Sequence, residues 1–179
     1  MAILKIARMG HPVLTRIADP VVDPTSSEIR RLIADMAETM VDANGLGLAA
    51  PQVHLGLRLF VWRGDAGDIL TLINPMLTPL DDVLEDGWEG CLSIPGLRGT
   101  VPRAARIGFT GLDGAGNAVE GEAAGLIARV LQHEADHLDG VLYPTRITDF
   151  SRFGFTDELA RAAAQTPEAQ TPEAQTPAA

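Results

Sequence analysis

The chain of 179 residues contains one cysteine, Cys91. No intramolecular disulfide can form, which suits a reducing compartment and leaves Cys91 a free thiol. No apolar run approaches the ~20 residues that a membrane-spanning helix needs. The opening segment MAILKIARMGHPVL intersperses charges among its apolar residues and lacks the layout of a signal peptide. These absences lead us to expect a soluble, cytoplasmic protein with no membrane partner. Positive charge is scarce as well: 14 Lys and Arg stand against 24 Asp and Glu, a net charge of −10. That balance argues against tight binding of nucleic acid, and no specific nucleic-acid partner is expected. Arg98, Arg103 and Arg106 form a small basic cluster in sequence, which reads as a solvated charged surface.

What is present points to one organised domain. Hydrophobic residues make up 46% of the chain, and its length suffices for a sizeable core. The domain is expected over residues 1–164. From about Gln165 the unit QTPEA repeats, with proline and no large apolar residue. Such a composition buries no core, so residues 165–179 read as a disordered low-complexity tail.

Within the domain, Ile29, Leu32, Ile33, Met36 and Met40 recur at helical spacing after a Ser26 or Ser27 cap. They predict a first helix over residues 26–43. The segment GLGLAAPQ, Gly45–Gln52, is too rich in glycine for a helix interior and reads as a loop that approaches another group closely. Leu57–Trp62 and Ile69–Asn74 predict strands around a Gly64–Gly67 turn. Asn74-Pro75 and Thr78-Pro79 read as breaks. Arg106–Leu112 and Ala118–Ala123 predict a hairpin around Asp113–Gly116. A helix from about Ala123 to Leu138 follows, stopped by Asp139-Gly140, and a short helix over Thr156–Ala164 has Thr156 as its N-cap. The fold class expected is α+β: small mixed or antiparallel sheets around a central helix, with an N-terminal helix and a short C-terminal one.

The central helix carries the chemistry. His133 and His137 lie four residues apart, just over one turn, so both imidazoles share a face and can reach one metal ion. Leu126 and Val130 continue the same stripe, so the histidines face the interior and need partners there. Glu134 beside them completes an HExxH pattern, whose glutamate can reach a metal-bound water in metal-assisted hydrolysis. A catalytic site of this type has a third protein ligand and one open position. His11 and His54 sit in unremarkable surroundings. Cys91, between Gly90 and Leu92, is the favoured third ligand, because a thiolate with two imidazoles suits a zinc-like or ferrous ion. Asp136 is the alternative, although it points off the histidine face. An HExxH endopeptidase and a closed structural metal site are the competing readings.

Three motifs in order make the chain resemble the peptide deformylases: GLGLAAPQ at Gly45–Gln52, EGCLS at Glu89–Ser93 and QHEADH at Gln132–His137. The resemblance runs from about Ile6 to Tyr143, with Ala135 standing where family members often carry a larger apolar residue. It implies a metal held by Cys91, His133 and His137, ferrous in the cell, with zinc, nickel or cobalt able to replace it. It implies that metal-bound water attacks the formyl carbon of an N-formylmethionyl peptide or nascent chain, with Glu134 as base and then acid, releasing formate. Gln52 and the Leu92 N–H would stabilise the oxyanion. Leu46, Leu126 and Val130 would line the methionine pocket. Gly45, Gly47 and Gly90 would offer backbone to the peptide, and Arg98 would meet it further along. Arg129 is expected at the pocket mouth with its stem packed and its head in water. Transient contact with the ribosome is also implied, but the acidic charge and repetitive tail disfavour a basic C-terminal docking helix.

Overall fold

The computed structural model describes residues 2–165. In chain order the elements are α1 (Ser27–Asp42), β1 (Gly47–Ala49), β2 (Leu59–Arg63), β3 (Ile69–Pro79), β4 (Leu84–Cys91) and β5 (Ile94–Ala104). β6 (Arg106–Leu112), β7 (Ala118–Ala124), α2 (Gly125–Leu138), β8 (Phe153–Phe155) and α3 (Thr156–Gln165) complete it. Short 3-10 turns cover Pro12–Thr15, Ala50–Val53, Tyr143–Arg146 and Phe150–Arg152. The expected α+β class is what the chain adopts. A five-stranded sheet has the order β1-β2-β3-β6-β7 and a three-stranded sheet the order β4-β5-β8. All pairings between these strands are antiparallel.

Helix α1 begins where its cap requires. The Ser26 side chain accepts from the Ile29 N–H at 3.3 Å, satisfying one of the free donors of the first turn. Helix α2 starts at Gly125, two residues later than expected, because β7 continues through Ala124. It ends at Leu138, with Asp139 as C-cap and Gly140 at φ 70°, the left-handed conformation that glycine takes without strain.

Strand β2 shows how the core is divided. Phe60 and Trp62 point toward α2, where they meet Leu72, Leu131 and Leu138. Leu59 and Val61 point the other way and meet Met36, Met40, Leu48 and Ile73. The five-stranded sheet is therefore covered on both faces at this strand, by α2 and by α1. A third cluster, with Leu14, Ile94, Val101, Leu142 and Tyr143, lies against the three-stranded sheet.

Four expectations need correction. The segment Gly45–Gln52 is not a plain loop: Gly47–Ala49 pairs with Phe60–Trp62 as an edge strand, and the Ala50–Val53 turn follows. Asn74-Pro75 does not end its strand. A register shift between Ile73 and Met76 takes up the proline, and the Asn74 side chain (φ 51°) exchanges two hydrogen bonds with the Val21 backbone, at 2.9 and 3.0 Å. Strands β4 and β5 lie where only acidic and glycine-rich connections were legible. Thr156 is the first residue of α3 rather than its cap, and its hydroxyl donates to the Gly96 carbonyl at 3.2 Å. Gln165 still belongs to α3, and the rest of the expected tail lies outside the described residues. Among the described residues, no helix is long and apolar enough to cross a membrane.

Candidate metal centre and substrate cavity

Three elements bring the chemistry together. The β4–β5 hairpin changes register between Gly90 and Cys91, so Cys91 opens its tight turn opposite Ile94. Helix α2 presents His133 and His137, whose rings meet edge-on with centroids 5.0 Å apart. The Ala50–Val53 turn brings Gln52. Ligand atoms of Cys91, His133 and His137 all lie within 4.8 Å of one another. Cys91 Sγ is 3.3 Å from His137 Nε2. A thiol and two imidazoles at this spacing fit a single divalent transition ion. Asp136, the other candidate ligand, turns away and is held by Arg103 and Arg146.

The groups around the cluster are tightly held. The Gln52 side chain accepts from the Ala49 N–H at 2.9 Å and donates to Ser93 Oγ at 3.2 Å. That network turns its amide nitrogen toward Cys91 Sγ, 3.5 Å away. Glu89 Oε2 lies 2.8 Å from His133 Nδ1, which leaves His133 Nε2 facing the cluster. A carboxylate behind an imidazole in this way fixes the ring and its tautomer. Arg103 grips Glu89 with two bonds of 2.9 Å and reaches Asp136 at 2.6 Å. Tyr143, fully buried, stacks on the His133 ring at 6.0 Å.

Burial and charge pull the titrating groups apart. Burial is the largest influence on Glu134 and pushes it up to about 7. Burial also pushes Glu89 upward, but its bonds from Arg103 and His133 outweigh this and hold it at about 2. Burial opposes charge on His133, yet Cys91 and Glu89 push it up to about 10. His137 is held well below the ordinary range by burial and by the neighbouring His133. Glu134 is 4% exposed, and its Oε2 is buried without a hydrogen-bond partner. A Cβ on Gly47 would fall 2.3 Å from Glu134 Oε1, so the glycine makes room for that carboxylate.

A cavity of about 460 Å³ opens onto the cluster. Gly45, Leu46, Gly47, Gly90, Leu92 and Arg98 line it, as do Leu126 and Val130. Leu46 and Leu126 stand at its rim, 47% and 61% exposed, whereas Val130 is buried. Two expectations fail here. Arg103 is not part of a solvated surface: it is 4% exposed and bridges two carboxylates. Arg129 does not hold its head in water, for its guanidinium bonds Glu89 and the carbonyls of Glu85, Gly87 and Val101. The roles of Glu89, Arg103, Tyr143 and Ser93 were not read from the sequence. The hint that the sequence carries is that Glu89 and Ser93 open and close the EGCLS motif.

A sequence model of the family described as polypeptide deformylase matches residues 3–153. The chain belongs to the peptide deformylase family. It is 50% identical over 163 residues to peptide deformylase 1 of Bordetella pertussis, covering 86% of this chain and 93% of that one. It is 47% identical over 172 residues to peptide deformylase 1 of Prochlorococcus marinus, covering 90% of each. Among solved structures, the peptide deformylase of Thermotoga maritima superposes with a TM-score of 0.79 at 39% identity, over 83% of this chain and all of that one. The Legionella pneumophila enzyme gives 0.78 at 36%, over 93% and 100%. The chain is accordingly a hydrolase that removes the N-terminal formyl group from formylated nascent peptides. The antiparallel sheets around α2 are this family's fold.

Proposed function

We propose that Cys91, His133 and His137 hold one divalent ion, ferrous in the cell, and that Glu134 is the acid–base group of the deformylation. The observation that carries this reading is the convergence of one thiol and two imidazoles on a cavity, beside a buried, unpartnered carboxylate. When bound, the ion supplies a Lewis acid that polarises the formyl carbonyl and acidifies water. Glu134 accepts the proton of the attacking water on a carboxylate oxygen and then delivers it to the departing amine, leaving formate and a free amino terminus. A pKa of about 7 suits both halves of that task. Gln52 Nε2 and the Leu92 N–H donate to the carbonyl oxygen as charge develops on it.

The cavity takes the formylmethionyl end. Leu46, Leu126 and Val130 contact the unbranched methionine side chain. Gly45, Gly47 and Gly90 present backbone to the peptide, and Arg98 meets residues beyond the first. The catalytic unit is residues 1–164, with 165–179 as an appended tail. It works in the cytoplasm on chains leaving the ribosome, which it contacts only transiently.

The test is formate release from formyl-Met-Ala-Ser by iron- or nickel-loaded protein. Glu134→Gln should keep its metal and lose on the order of 10²–10⁴ in kcat. A fully active Glu134→Gln would remove the acid–base role. Undiminished metal binding by Cys91→Ala would remove the ligand assignment.

A further inference from the structure

We infer that Arg129 is a positioning residue, which ties the wall of the substrate cavity to the metal-binding imidazole of His133 through Glu89. The inference rests on the ligand assignment above.

Arg129 lies one turn before His133 on α2 and lines the cavity. Its guanidinium crosses to the β4–β5 hairpin. Nη1 donates to the Val101 carbonyl at 2.7 Å and to Glu89 Oε1 at 3.0 Å, and Nη2 donates to the Glu85 carbonyl at 2.6 Å. One planar fork thus grips both strands of the hairpin that ends in Cys91, from the helix that carries both histidines. The other oxygen of Glu89 meets His133 Nδ1 at 2.8 Å. The plane of this carboxylate, and with it the His133 ring, is therefore set jointly by Arg103 and Arg129.

An independent feature points the same way. A Cβ on Gly87 would fall 2.6 Å from Arg129 Cζ and Nε, and 2.8 Å from Nη2. Gly87 has no positive φ, so its backbone does not require glycine. The absent side chain is the space in which the guanidinium lies.

Gly87→Ala therefore pushes the guanidinium aside while keeping every charged group. Arg129→Met removes the donors and keeps the stem, and Arg129→Lys keeps the charge without the fork. Each protein is loaded with cobalt, and its visible spectrum, kcat and KM for formyl-Met-Ala-Ser are measured. In Gly87→Ala and Arg129→Met, kcat should fall about 10-fold or more, as for other groups behind a metal ligand. KM should stay within about threefold, the cobalt bands should shift, and Arg129→Lys should recover part of the loss. Unchanged bands and kcat with only a lower Tm would make Arg129 a structural staple and overturn the inference. A rise in KM alone would make it a cavity wall and overturn it too. Should Arg129→Met fail to fold, Gly87→Ala decides. A wild-type cobalt spectrum without a thiolate band would instead refute the ligand assignment, a separate failure.

Discussion

On the α1 side of the five-stranded sheet, Met36, Met40, Leu48, Leu59, Val61 and Ile73 are all 0% exposed and pack together in one apolar cluster. Behind the metal centre the buried groups are Glu89, Arg103 and Asp136, joined into one network with Arg129, Arg146 and His133. The first region is held by area removed from water, which has no direction and tolerates rearrangement. The second is held by charge-assisted bonds that fix planes and distances. A site that must aim an imidazole needs direction, and the buried charges supply it. The difference also sets how each region fails: an apolar deletion leaves a void, whereas losing one ion leaves its partners buried and short of a counter-charge.

Replacing Arg103 with Met should therefore have the largest effect. Two buried carboxylates lose their shared partner, and urea unfolding should show a loss of about 3–5 kcal/mol. A loss below about 1 kcal/mol would mean that the network is no more critical than a surface pair. Leu59→Ala tests the other side. It should lower stability by about 2–5 kcal/mol through the cavity it leaves, while kcat of the surviving folded protein stays near wild type. A matching fall in kcat would show that the two regions are not independent.

The third prediction separates them by pH. Glu89 falls from an ordinary 4.5 to about 2 on folding. A depressed carboxylate stabilises the fold above its unfolded pKa, and that stability is lost as pH drops from about 4.5 through about 2. Metal-free wild type should lose up to about 3 kcal/mol across that window, and Glu89→Gln should lack this part of the acid limb. Equal acid slopes would refute the linkage. The smallest effect belongs to Arg161, whose pair with Glu158 on α3 leaves both side chains more than 60% exposed. Arg161→Ala should change Tm by an amount equivalent to ~0.5 kcal/mol or less. Only burial makes the inner network costly to break.

The legible parts of this molecule are those whose signal is local. The α1 stripe, the Arg106–Ala124 hairpin around Asp113–Gly116 and the HEADH turn each announce themselves within one or two periods of their own element. Strands β4 and β5 did not, because Gly87, Gly90, Gly96 and Gly99 and the prolines at 95 and 102 mask any alternation. Their pairing satisfies their backbones and encloses the charges, and neither fact has a trace in composition. Asn74-Pro75 reads as a break for a related reason, since only the paired strand shows that a bulge has room for the proline.

By itself, then, the sequence determined which donor atoms exist and how two of them are spaced. An α-helix fixes the reach from His133 to His137, and three ordered motifs bring Cys91 and Gln52 into consideration. Tertiary structure alone decided which charges are internal. Arg98, Arg103 and Arg106 look alike along the chain, yet the Arg106 side chain is 55% exposed and that of Arg103 only 4%. The inward side of β5 places Arg103 between Glu89 and Asp136, whereas Arg106 reaches outward to Asp81 and Glu122. Burial is a property of what packs over a residue, and no local pattern carries that information.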